Sequence, residues 1–101
     1  MIKLTLLYGH PVDPVAFESY YANTHLPMAA KIQGAIKLEL TKFISAADGG
    51  NPAYYRMAEF LFSNPEEMQK TLHSPEGQAA SADLPNFATG GVTFIVGVVE
   101  S

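Results

Sequence analysis

The chain has 101 residues, 48% of them apolar and 16% charged, with a formal net charge of −4 and no cysteine. That is the size of one domain, and its apolar share suits a globular fold. Six basic residues scattered against ten acidic ones make no phosphate-binding patch, which argues against nucleic acid. No run approaches the roughly 18 apolar residues of a membrane span, and MIKLTLLYGH is too short and too alternating for a secretory signal. Without cysteine there is no disulfide, thiol nucleophile or thiolate metal site. A cytoplasmic location is expected.

Ile2 to Tyr8 alternates, with Ile2, Leu4, Leu6 and Tyr8 on one face and Lys3, Thr5 and Leu7 on the other, which predicts a strand. GHPVDP is a turn, and Asp13-Pro14 starts a helix, with Asp as N-cap and Pro at the first helical position. This helix is expected to reach about Gln33, where Gly34 supplies a left-handed stop. Ile36 to Thr41 alternates again and continues through Phe43 and Ile44; AADGGNP turns the chain, and Tyr54 to Phe62 reads as a third strand. Asn64-Pro65 and Ser74-Pro75 each begin a helix, the first running to about His73 and the second to about Asp83. After the loop LPNFATGG, Val92 to Glu100 is the last strand.

The order strand, helix, strand, strand, helix, strand over residues 1–101 predicts a single α+β domain, a ferredoxin-like βαββαβ sandwich. Helices on one side of an antiparallel sheet leave its other face to solvent, and that face should be polar. The last strand departs from this rule: Val92, Phe94, Val96 and Val98 on one face oppose Ile95 and Val99 on the other. Leu7 and Leu61 add to the uncovered set. An apolar patch of that kind marks an interface, so sheet-to-sheet homodimerisation is expected.

At about 100° per residue, Phe17, Tyr21, Thr24, Met28 and Ile32 share one stripe of the first helix, with His25 on its edge and Tyr20 on the opposite edge. Pro27 lies two places after His25. Proline lacks the helical N–H and its ring presses on the carbonyl four residues back, that of Asn23; in a helix interior this costs on the order of 3 kcal/mol. A loosened turn beside an imidazole can open space between helix and sheet. Arg56, alternating within the third strand, is expected to pair with Glu39 or Glu59. Glu66, Glu67 and Glu76 suit helix N-termini.

Other chemistries find no support. His10, His25 and His73 are the only histidines and none has metal-motif spacing. The glycine pairs Gly49-Gly50 and Gly90-Gly91 lack the lysine and helix start of a phosphate loop, there is no dinucleotide fingerprint, and no serine sits in a nucleophile elbow. The sheet aromatics lack the basic neighbours of an RNA-binding surface. No metal or cofactor is expected.

The stretch FESYYANTHLPMAAKIQG, preceded by a strand ending at Tyr8, resembles the helix motif of the EthD family, named for ethyl tert-butyl ether degradation: an aromatic pair, a histidine, a proline two residues on, and a glycine stop. SPEGQAASADLPNF resembles that family's second motif, so the likeness spans nearly the whole chain. His25 and Pro27 match the first motif; Asp83, Pro85 and Phe87 match the second. The resemblance implies a ferredoxin-like subunit that dimerises by sheet packing into a dimeric α+β barrel, with a cavity between helices and sheet. It also implies a place in oxidative degradation, among relatives that include cofactor-free monooxygenases, isomerases, cyclases and dehydratases.

Tyr8, Tyr20, Tyr21, Met28, Phe60, Phe87 and Phe94 are the candidate lining of that cavity around His25, with His73 counted among them. Such a wall suits a small apolar or aromatic ligand held by one or two polar groups. Two functions fit. One is a cofactor-independent enzyme with His25 as acid or base and Tyr8, Tyr20 or Tyr21 donating to an oxyanion. The other is a dimeric carrier that serves a partner oxidase.

Overall fold

Alternation along the first strand has the consequence its pattern implies. In the computed structural model, which describes residues 1–100, β1 (Ile2–Tyr8) buries Leu4, Leu6 and Tyr8 on one face of a four-stranded antiparallel sheet. The strands β2 (Lys37–Lys42), β3 (Arg56–Phe62) and β4 (Val92–Val98) complete it in the order β2-β3-β1-β4. Leu6 lies opposite Ala58 on one side and Phe94 on the other, and Ala58 lies opposite Leu40. Even-numbered residues of all four strands therefore share the face that the helices cover. This is the ferredoxin-like α+β fold.

The first helical segment runs as α1 (Pro14–Tyr20), a π-helical turn (Tyr21–His25) and α2 (Leu26–Ala29). It stops short of Gln33 because its last hydrogen bonds tighten: Lys31 N–H donates to Met28 and Ile32 N–H to Ala29, both three residues back. Gly34 then takes φ +103° and turns the chain away. The second helical segment is α3 (Pro65–Leu72) and α4 (Pro75–Asp83), continued by a short 3₁₀ turn, Leu84–Asn86. The three Xaa-Pro starts expected from the sequence are all capped: Asp13 accepts from Ala16 N–H at 3.2 Å, Asn64 from Glu67 at 2.8 Å and Ser74 from Gly77 at 3.1 Å. Gly77 also lets α4 pack against the end of α3, because a Cβ there would collide with the Thr71 carbonyl.

The helices lie over the centre of the sheet. Phe94, Val96 and Val98, on the helix side of edge strand β4, stay 50%, 53% and 69% exposed, while Ile95 on the opposite side is 49% exposed. β4 is thus apolar and uncovered on both faces. The open face of the other strands is mixed, with Lys3 3.1 Å from Glu59 and Lys37 3.0 Å from Glu39.

Those two pairs also correct the expected partner of Arg56. Glu39 and Glu59 sit at odd positions and face away from the helices, whereas Arg56 sits at an even position and points toward them. Its partner is Glu18 of α1, reached through Nε at 2.9 Å and a terminal nitrogen at 2.6 Å, with the Tyr55 hydroxyl donating to the same carboxylate at 3.0 Å. The Arg56 hydrogen bonds hold the Glu18 carboxyl down to about 2 from an ordinary 4.5, overcoming the burial that would raise it. The unfolded chain therefore takes up this proton first, so stability rises with pH through that window. The contribution should be complete above about pH 4.5 and lost as pH falls toward about 2. Denaturant midpoints measured against pH should show an acid limb that Glu18→Gln flattens. An unchanged limb would remove Glu18 from the acid response.

Candidate functional site

The buried positions of the first helical segment are Phe17, Tyr21, His25 and Ala29. Each is four residues after the last. On a regular α-helix, four-residue steps overshoot a full turn by about 40° and would carry this series off the core. The π turn takes the overshoot back: Leu26 N–H donates to the Tyr21 carbonyl, five residues earlier. His25 thereby moves from the edge of the stripe to its centre and is only 5% exposed, while Thr24 rotates out to solvent. Met28 turns away with it to a half-buried flank and yields its place to Ala29. Pro27 follows directly, where the widened turn relieves the carbonyl its ring would otherwise press on.

His25 Nδ1 lies 3.0 Å from Asp83 Oδ2, and both side chains are about 6% exposed. Tyr20 donates its hydroxyl to the other oxygen, Oδ1, at 2.6 Å, and Asn86 Nδ2 donates to it at 3.0 Å. Burial pushes the Asp83 carboxyl up, but the bonds from Tyr20, Asn86 and His25 outweigh it and hold the group below its usual range. The same pairing raises the Tyr20 hydroxyl. An ionised Asp83 only accepts, so Nδ1 carries the proton and Nε2 is left as the ring's acceptor when the imidazole is neutral. Asp83 also ends α4, where the helix dipole opposes a negative charge. Three donors at one carboxylate offset that placement.

Aromatic rings hold the imidazole in place. Phe87 lies 4.6 Å from it and Tyr21 stacks at 5.9 Å with planes 14° apart. Tyr21 is itself held by Phe17 at 5.3 Å, by Tyr8 edge-on at 5.8 Å and by the Arg56 guanidinium 4.9 Å above its ring. Beside the imidazole lies a cavity of about 60 Å³ between helices and sheet, walled by residues such as Leu6, Leu40, Ala58, Ile32 and Leu84.

Of the residues singled out in the sequence, Tyr8, Tyr21, His25, Phe60 and Phe94 line this cavity. Tyr20 and Phe87 stand at Asp83 and against the imidazole, respectively. Met28 is rotated off by the π turn. His73 is exposed at the end of α3, its Nδ1–H donating to the Gln69 carbonyl at 2.7 Å, and His10 donates through Nε2 to the Pro52 carbonyl at 2.7 Å. Asp83 was marked in the sequence only by its place in the second motif. Its pairing with a histidine 58 positions away comes from α4 packing against α2.

The EthD domain matches residues 9–91, a span that takes in His25, Pro27, Asp83 and Phe87. The chain belongs to the EthD family. It is 38% identical over 95 residues to an 11.0 kDa protein from the thcB–thcC intergenic region of Rhodococcus erythropolis, covering 94% of this chain and 91% of that one. Its structure is similar to that of an EthD protein from Bacillus halodurans, with 32% identity, a TM-score of 0.91 and 99% of each chain covered. It is also similar to SnoaB of Streptomyces nogalater, a cofactor-independent oxygenase, at 15% identity and a TM-score of 0.65 over 99% of this chain and 92% of that one. That last likeness is one of fold.

In this EthD chain, Asp83→Ala should strand the Tyr20 hydroxyl, the Asn86 amide and the His25 N–H together. A loss of stability of about 1–3 kcal/mol is the expected scale for such orphaned donors. Asp83→Asn should keep the fold but free His25 to populate both neutral tautomers, visible in the imidazole ¹⁵N shifts. Wild-type-like shifts in Asp83→Asn would mean that the carboxylate does not set the tautomer.

Proposed function

We propose that this EthD protein binds a small apolar or aromatic compound in the cavity between helices and sheet and acts on it with His25 as general base, without a cofactor. The observation that carries the reading is the buried hydrogen bond from His25 to Asp83 at the wall of an apolar cavity. Asp83 holds Nδ1–H, so Nε2 takes the proton from a phenolic O–H or an activated C–H. The imidazolium that forms stands next to a carboxylate, which stabilises it.

A phenolate made this way is electron-rich enough to react with dioxygen. In the oxygenation of a phenol to a quinone, one oxygen atom of O₂ becomes the new carbonyl and the other leaves as water. SnoaB, which shares the fold, is a cofactor-independent oxygenase, and this supports oxygenation without a cofactor as a reaction the fold can host. His25→Ala should lower oxygen uptake with a reactive phenol by roughly 10²–10⁴-fold, the scale of a positioned proton-transfer group. His25→Gln should bind the phenol and fail to turn it over.

The mainly aliphatic and aromatic wall also favours a second reading, a carrier that holds an apolar intermediate for a partner oxidase. An active His25→Gln variant selects that reading and ends the catalytic one.

The working form we propose is a homodimer joined through the open sheet face. Support comes from β4, whose apolar side chains are uncovered on both sides. Sedimentation at micromolar concentration should give twice the chain mass. Ile95→Lys should dissociate or unfold the protein by burying an unpaired charge. A stable wild-type monomer would overturn the assembly.

A further inference from the structure

Three tyrosines stand at the cavity or beside the Asp83–His25 pair, and their surroundings differ. The Tyr20 hydroxyl is occupied, donating to Asp83 at 2.6 Å. Tyr8 and Tyr21 both line the cavity and are 1% and 2% exposed. Among the described residues, the Tyr21 hydroxyl is the one buried side-chain nitrogen or oxygen without a hydrogen-bond partner. A buried polar group left unmatched opposes folding, and such groups are rare in native proteins. Nor can the ring swing to find water. Phe17 and His25 stack against it, Tyr8 packs edge-on, and the Arg56 guanidinium covers one face.

We infer that the Tyr21 hydroxyl is the ligand's hydrogen-bond anchor, and that the cavity takes a small, mainly apolar molecule carrying a hydroxyl or carbonyl oxygen. The inference rests on the proposed ligand-binding role of the cavity and adds the functional group that the ligand must bear. Tyr21 and His25 lie four residues apart along the same wall, one offering a proton donor and the other an acceptor. Burial raises the Tyr21 hydroxyl above its ordinary value even though the Arg56 charge opposes the shift, so it remains a neutral donor at physiological pH. Discrimination follows from the orphan itself. A ligand with an oxygen at this point satisfies a group that the fold leaves unmatched, and a hydrocarbon of the same shape does not.

Phenol and toluene test this, since they differ by a hydroxyl in place of a methyl. Titrations followed by NMR should show the wild type binding phenol more tightly than toluene. Tyr21→Phe should weaken phenol roughly tenfold, the scale of one net hydrogen bond, and leave toluene unchanged. Its melting temperature should hold or rise, because the substitution removes an unmatched buried polar atom. Tyr54→Phe, at an exposed position away from the cavity, is the control and should preserve the preference for phenol. Equal wild-type affinities, a phenol loss that follows Tyr54→Phe instead, or a clear fall in the Tyr21→Phe melting temperature would each overturn the assignment. Failure of both probes to bind would overturn it together with the ligand-binding reading. Loss of phenol affinity in Tyr21→Phe alongside an active His25→Gln variant would uphold the anchor while ending the catalytic role of His25.

Discussion

A four-residue spacing of buried side chains, Phe17, Tyr21, His25 and Ala29, governs how this molecule is built. An α-helix cannot keep such a series against a sheet for long, because each step drifts in the same direction. One π turn absorbs the drift at the place where a histidine must face inward and a proline must be accommodated. Without it, Thr24 and Met28 would occupy the core side and the imidazole would lie at the solvent edge. The cavity wall, the stacking of Tyr21 on His25 and the approach to Asp83 all depend on that local widening.

Once inside, the imidazole meets a carboxylate that the fold has placed against its own electrostatics. Asp83 is buried and ends a helix, two circumstances that disfavour a negative charge. Hydrogen bonds from α1, from the π turn and from the 3₁₀ turn converge on it. The charge is therefore a junction between the two helical segments as well as a partner for the histidine. A similar division of labour holds two residues before Tyr20 in α1, where Glu18 joins that helix to Arg56 at the start of β3 and to Tyr55 just before it. Both contacts tie sequence-distant elements together, and only Asp83 does so beside the cavity.

The parts that could be read from the chain are those whose causes are local. Two-residue alternation marked β1, and Asp13, Asn64 and Ser74 before proline marked three helix starts that are all capped. Arg56 shows where local reading ends. Alternation placed it in a strand, but choosing between Glu39, Glu59 and Glu18 requires knowing which face the helices cover. The π turn was illegible for a related reason, since a fixed period of 3.6 residues contains no provision for an inserted one. Pro27 was the available sign, a local conflict at a position that proved special. The Asp83–His25 contact needed the packing of α4 on α2 before either residue could be assigned a partner.

The unmatched Tyr21 hydroxyl has a bearing on how this sequence can drift. Tyrosine and phenylalanine codons are one base apart, so the variant without the oxygen is always within reach of mutation. The fold itself supplies no hydrogen bond to resist that change. Selection for folding alone would lead this position toward phenylalanine, and selection for the ligand would hold it at tyrosine. Residue 21 thus becomes a record of use: lineages that abandon the cavity's chemistry should lose this atom early, while Phe17 and Phe62, held by packing alone, persist.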